Sequence, residues 1–99
     1  MATITFTAGT TTTVTNFTLS GTAGNLATIN SSIQGTQFTL SKASGVVSVD
    51  YISIEDCNAT GGATWNAGGN SSNVNNNSGW IFGAAAPSYA VTGQFMAFF

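Results

Sequence analysis

Apolar and polar residues alternate at the start of the chain. Ile4 and Phe6 are each flanked by threonines, and four more threonines occupy positions 10–13. This period of two is typical of a β-strand with one buried face, and β-branched threonine favours extended backbone. The best helix-like run, residues 83–86, stops at Pro87, a residue that interrupts helices. The pattern therefore predicts an all-β protein.

A ten-residue pattern that begins at Phe17 recurs 21 residues later at Phe38, with Phe, Thr, Leu, Ser and Gly retained. This spacing suits one coil of a β-solenoid, in which Phe17 would stack on Phe38 and Leu19 on Leu40. Two hairpin strands of a β-sandwich could share the same similarity. We therefore expect residues 1–99 to form a single domain that is either a small β-sandwich or a short β-solenoid.

Two later segments break the simple alternation. In residues 46–54 the large side chains of Tyr51 and Ile52 are adjacent, which predicts a bulge or a strand covered on both faces. Residues 57–79 are rich in Gly, Asn and Ser, which favour turns. We expect a long loop there, held to the domain by Trp65, whose indole N–H should find an acceptor.

The C-terminal part of the chain is apolar. Residues 80–82 predict a short strand, and four large apolar side chains lie within residues 95–99. Burying each of these is worth about 1.5–3 kcal/mol, and large apolar patches mark interfaces. We expect residues 83–99 to lie at an interface, although a final core strand is the alternative. The interface candidates are Ile4, Phe6, Tyr89, Val91, Phe95, Met96, Phe98 and Phe99.

Composition narrows the possible functions. The chain has one Lys or Arg side chain, three acidic residues and a net charge of −2, so a basic face for nucleic acid is not expected. The absence of His and the single cysteine, Cys57, argue against imidazole catalysis and thiolate metal sites. No apolar stretch is long enough to span a membrane, and no signal peptide is expected. We predict a protein that is not an enzyme, with no catalytic residues, cofactor, metal or membrane partner.

Three segments carry a resemblance to a known group of proteins. They are residues 17–29 (FTLSGTAGNLATI), 48–65 (SVDYISIEDCNATGGATW) and 77–82 (NSGWIF). Together they resemble a segment common in structural proteins of tailed bacteriophages, where it often closes a β-helical or β-sandwich region. Because we expect a complete chain of 99 residues, it resembles a small β-rich capsid decoration (cement) protein more than a long fibre.

The resemblance implies a virion protein on the capsid surface, bound to the major capsid protein or to copies of itself, without catalytic residues. In this interpretation the Thr/Ser/Asn-rich face meets water. The apolar residues at positions 4–6 and 95–99 would bury against neighbours and stabilise the lattice, because such contacts form only on assembly.

Two other functions stay open at this point. Trp65 and Trp80 are candidate aromatics of a ligand platform, because such rings stack on sugars while Asn and Thr bond hydroxyls. A receptor- or glycan-binding module of a tail fibre would use them in this way, whereas packing in the core is the structural alternative. A bacterial surface or filament subunit is the third possibility.

Two further patterns carry less weight. Asp50, Glu55 and Asp56 lack the alternate spacing around a glycine turn that calcium loops use, so we expect a solvated strand end. Threonine pairs at positions 3 and 5 and within 11–13 could order ice-like water. That function needs a pair in every coil, and the repeats starting at Phe17 and Phe38 do not carry a Thr-x-Thr pair.

Overall fold

A computed structural model describes residues 2–83, which form ten β-strands. In chain order they are β1 (Thr3–Phe6), β2 (Thr11–Thr13), β3 (Ala27–Ser31), β4 (Phe38–Ser41), β5 (Val46–Ser48), β6 (Ile52–Glu55), β7 (Cys57–Thr60), β8 (Thr64–Gly68), β9 (Ser72–Asn75) and β10 (Trp80–Phe82). The first sheet has the order β1-β3-β6-β9, the second β2-β4-β7 and the third β10-β8-β5. The described residues contain no helix, and none therefore that could span a membrane.

Every strand pair in the three sheets is parallel. β3, β4 and β5 form one complete coil, with one strand in each sheet, and β6, β7 and β8 form the next. β1 and β2 belong to the coil before them, and β9 and β10 to the coil after. Because each sheet grows by one strand per coil, the domain is a short β-solenoid with three faces and not a β-sandwich.

Inward-facing apolar side chains of consecutive coils stack into ladders. In the first sheet Ile4 lies beside Ile29, which lies beside Ile54. In the third sheet Val47 lies beside Trp65, which lies beside Trp80. The buried apolar core comprises Ala27, Ile29, Phe38, Leu40, Val47, Val49, Ile52, Ile54, Cys57, Ala59, Trp65, Ala67 and Trp80.

The stacking expected from the sequence repeat is wrong. Phe38 lies beside Cys57 in the second sheet, and the ring that stacks on Phe38 is Phe6, at 4.5 Å between centroids. Phe17 instead packs against the two tryptophans of the third sheet, at about 6 Å from each. Leu40 lies beside Thr12 and Ala59, not beside Leu19.

Unequal coil lengths explain that error. The pair Thr3 and Thr28 is separated by 25 residues, but the pair Phe38 and Cys57 by only 19. The turns between strands therefore differ in length from coil to coil. A fixed offset of 21 residues cannot describe the register of such a chain.

The long loop expected over residues 57–79 is also wrong, because β7, β8 and β9 lie within it. In β7 the side chains of Cys57 and Ala59 are buried, while Asn58 and Thr60 are only partly covered. Small apolar residues thus alternate with polar ones, and the glycines and asparagines mostly form the corners. One such corner is Gly79, where φ is +83° and an added Cβ would collide with the Ala59 carbonyl oxygen.

Two other expectations have clear outcomes. The change of parity at Tyr51 and Ile52 is a corner between the third and first sheets, since β5 ends at Ser48 and β6 begins at Ile52, with Tyr51 at φ 53°. The predicted strand at residues 80–82 is present as β10. Residues 84–86 of the helix-like run 83–86 lie outside the described residues, as do the apolar C-terminal candidates Tyr89, Val91, Phe95, Met96, Phe98 and Phe99.

The ladder in the first sheet makes a quantitative prediction. Ile54 is fully buried between coils, so Ile54→Ala should reduce the free energy of unfolding by about 2–5 kcal/mol. Ile33 is 59% exposed, and Ile33→Ala should change it by no more than about 0.5 kcal/mol. Urea unfolding followed by circular dichroism measures both. Equal losses in the two variants would contradict the described core.

Candidate functional site

In the first sheet, the first coil leaves an apolar side chain at the end of the solenoid. Ile4 occupies the same ladder as Ile29 and Ile54, yet it is 40% exposed while both neighbours are fully buried. Phe6 is half-buried. Within residues 2–83, β1 and β2 each have a strand on one side only, and the backbone groups of such an edge can pair with another strand. We call β1 and β2, with Ile4 and Phe6, the open end.

The opposite end of the first sheet is closed by amide side chains. Asn73 follows Ile54 in the ladder, so the exposed final position is polar. The Asn77 Nδ2 donates to the Ile54 carbonyl oxygen at 2.7 Å and to the Asn73 Oδ1 at 2.8 Å. The Asn77 Oδ1 accepts from the Cys57 backbone N–H at 2.9 Å. We call β9, with Asn73 and Asn77, the capped end.

The corner between the first and second sheets is held by a buried carboxylate. Gly35, Asp56 and Asn76 all have φ in the left-handed region, at 91°, 59° and 57°. Asp56 is 1% exposed and accepts from the Gly35 N–H at 2.9 Å and from the Asn76 Nδ2 at 2.8 Å. A buried carboxylate requires such donors. Asp56 is therefore a structural corner residue, contrary to the expectation of a solvated strand end.

The corner between the third and first sheets uses Asp50. Its carboxylate accepts from the Asn70 Nδ2, the Asn70 backbone N–H and the Tyr51 backbone N–H, each at 2.9 Å. These hydrogen bonds, chiefly the one from the Asn70 side chain, hold the pKa of Asp50 below its ordinary value of 3.8. Glu55 accepts from the Gln34 side chain at 3.3 Å. Among residues 2–83, no group of three His, Cys, Asp or Glu could hold a metal ion.

The structure places the candidate aromatics inside the core. Trp65 is 1% exposed and Trp80 is 9% exposed, because both face inward from the third sheet. Their rings meet edge-on at 5.1 Å. The ligand-platform interpretation of Trp65 and Trp80 is therefore wrong, since neither ring presents a surface to a sugar. The Trp65 indole N–H does have an acceptor, as expected. It donates to the Thr60 carbonyl oxygen at 3.1 Å.

The single cysteine is also a core residue. Cys57 is fully buried, and the Trp80 indole N–H donates to its sulfur at 3.2 Å. Burial raises the pKa of the Cys57 thiol to about 11. The thiol is therefore protonated at neutral pH, and in the folded protein it lacks the reactivity of a thiolate.

Hydroxyl and amide side chains line the outer face of the second sheet. One outward ladder of the second sheet contains Thr11, Thr39, Asn58 and Ser78. The repeat at Phe38 thus contributes an outward pair of one threonine and one serine, Thr39 and Ser41. This agrees with the absence of a Thr-x-Thr pair in the sequence of that repeat. Its neighbour β7 contributes an Asn/Thr pair, so the described strands of this sheet form a mixed polar surface and no uniform threonine array.

Sequence reasoning missed the capped end. Asn73 and Asn77 belong to an asparagine-rich stretch whose composition indicated only turns. The usable signal was positional: a polar residue at the next position of an inward apolar ladder marks the end of that ladder. This signal requires the register, which the sequence repeat assigned wrongly.

Comparison of the chain with protein-family models, curated proteins and solved structures gives no match.

The amide cap predicts a stability difference between neighbouring asparagines. Asn77→Ala leaves the Cys57 N–H and the Ile54 carbonyl without their amide partner, and should cost about 1–3 kcal/mol of unfolding free energy. Within residues 2–83 the Asn75 side chain makes no hydrogen bond. Asn75→Ala should therefore change the free energy of unfolding by about 0.5 kcal/mol or less. Thermal and urea unfolding distinguish the two variants. A larger loss in Asn75→Ala would refute the cap.

The Asp50 corner predicts a pH dependence. Because the folded-state pKa lies below 3.8, ionised Asp50 stabilises the fold at neutral pH, and this contribution is lost as the pH falls through the folded-state pKa. Asp50→Asn should therefore be less stable than the wild type at pH 7, with the difference shrinking toward pH of about 2. Urea unfolding across this range measures it, and Asn70→Ala should also reduce the pH dependence. A constant difference between wild type and Asp50→Asn at all pH values would contradict the assignment.

Proposed function

We propose that this chain is a structural protein of a phage particle that binds its neighbours through the open end of its solenoid. The observation that supports this proposal is the difference between the two ends of the first sheet. One ladder ends in an exposed isoleucine, Ile4, and its far end is an asparagine, Asn73, held in an amide network. A domain that met only water at both ends would gain from polar residues at both.

A partner strand at the open end satisfies two requirements together. Its backbone would pair with the outer edge of β1 or β2, as in β-strand addition. Its inward side chains would cover Ile4 and Phe6 and thereby extend the ladder. Removing apolar area from water contributes about 25 cal/mol per Å². Pairing and burial thus favour the same geometry, a strand added in line with the coils.

The outer face of the second sheet suits a protein that sits in an assembly and stays hydrated there. Charged residues make up 4% of the chain, and the described outer positions of the second sheet carry hydroxyl and amide groups. That face stays hydrated while the open end makes contact. The resemblance to phage structural proteins supports the major capsid protein and further copies of this chain as partners, on the capsid surface. Residues 95–99 provide a second proposed contact, which rests on their apolar sequence.

Two matched substitutions test the open end. Ile4 and Val74 have similar exposure, 40% and 49%, and lie in edge strands at opposite ends of the first sheet. Ile4→Asp should weaken self-association of the 99-residue chain by about a hundredfold or more, because a carboxylate would be buried without a partner. Val74→Asp should leave it unchanged. Sedimentation velocity over a concentration series measures both variants, after circular dichroism has verified their folding.

Two results would contradict this proposal. If Val74→Asp disrupts association as strongly as Ile4→Asp, the open end has no special role. If immunogold electron microscopy with an antibody against the chain leaves particles of the encoding phage unlabelled, the chain is not a virion component, whatever its self-association.

A further inference from the structure

A groove lies at the corner between the second and third sheets, beside the last residue of β2. Its volume is about 320 Å³, within the range of small-molecule sites, about 300–1,000 Å³. One wall is the segment after β2 and the other is the turn between β4 and β5. The lining residues are Thr13, Val14, Thr15, Lys42, Ala43 and Ser44. The groove thus combines three hydroxyls, two small apolar side chains and one ammonium group.

The ammonium group of Lys42 is held in position. Its Nζ donates to the Ser44 carbonyl oxygen at 2.6 Å, so the side chain folds back over its own turn. The backbone of Lys42 is fixed as well, because its N–H donates to the Thr60 carbonyl and its own carbonyl accepts from the Ala63 N–H. An ammonium has three donors, and within residues 2–83 one of them is used, which leaves two for a ligand. A preorganised donor loses less entropy on binding than a mobile one.

The charge distribution makes this corner distinct from the other two. Lys42 is the only Lys or Arg side chain of the protein. The three carboxylates lie at the other corners, with Asp50 between the third and first sheets and Glu55 and Asp56 between the first and second. Among residues 2–83, no carboxylate lines the groove. A positive charge in a groove without a carboxylate complements an anionic ligand.

We infer that this groove binds a sugar that carries one anionic group. The anion pairs with the Lys42 ammonium, and the sugar hydroxyls bond the hydroxyls of Thr13, Thr15 and Ser44. Ala43 and the accessible part of Val14, which also packs against the core, contact the apolar face of the ring. The site borders the open end at Thr13 of β2. Sugar binding and self-association are nevertheless separate measurements, so the inference does not rest on the proposed assembly role. A carboxylated sugar and a phosphorylated sugar share this chemistry.

Titration of the ¹⁵N-labelled chain, followed by heteronuclear NMR, tests the site. The probes are glucuronate, glucose 1-phosphate, glucose and acetate. Glucuronate or glucose 1-phosphate should shift the amide signals of residues 13–15 and 42–44 in a saturable way, and the tighter of the two identifies the source of the anion. Glucose and acetate should each bind about tenfold more weakly or not at all, because each lacks half of the recognised chemistry.

Variants separate the charge from the fold. Lys42→Met retains the apolar stem and should weaken binding about tenfold or more, whereas Lys42→Arg should keep most of it. Thr15→Ala should weaken binding through the lost hydroxyl, and Ser53→Ala in β6 serves as the control with unchanged affinity. Equal binding of glucose and glucuronate, equal binding of acetate and glucuronate, unaltered binding by Lys42→Met, or no saturable shift with either anionic sugar would each overturn the inference.

Discussion

Stacking of inward apolar side chains between consecutive coils is the interaction on which this structure depends. Ile29 has a neighbour in its ladder on both sides, Ile4 and Ile54, and is fully buried, whereas Ile4 has a neighbour on one side and is 40% exposed. The same geometry leaves the first and last coils with one uncovered side each. Solenoid proteins require terminal units with a polar outer surface for this reason. The described residues meet that requirement at β9 and leave it unmet at β1.

Neutral polar side chains make most of the hydrogen bonds that hold the corners of the solenoid. Each corner must reverse the chain in a few residues, and its backbone groups must still find partners. Asn77 donates to the Ile54 carbonyl oxygen. Asn70 and Asn76 donate to the carboxylates of Asp50 and Asp56, respectively. The side chain of Lys42 also bonds to backbone, at the third corner. Because neutral dipoles act only over short distances, the faces between the corners carry little electrostatic potential.

The sequence predicts those features of the fold that depend on residues close together along the chain. Alternation around Ile4 and Phe6, and the apolar run at residues 80–82, are local, and the all-β prediction drawn from such patterns is confirmed. The register is not local, because the coils have unequal lengths, so the repeat at Phe17 and Phe38 misassigned the stacking. The strands within residues 57–79 were missed since their inward residues are small, such as Cys57 and Ala59, between many turn formers. The burial of Trp65 follows from that register.

We propose that association covers the open end and leaves the capped end uncovered. Amide hydrogen exchange followed by mass spectrometry, on the chain dilute and at concentrations where it associates, reads this directly because strand pairing protects backbone N–H groups. Added protection is expected in Thr3–Phe6 and Thr11–Thr13 on association, with Ser72–Asn75 unchanged. Added protection confined to Ser72–Asn75, or none in the first two strands, would contradict it.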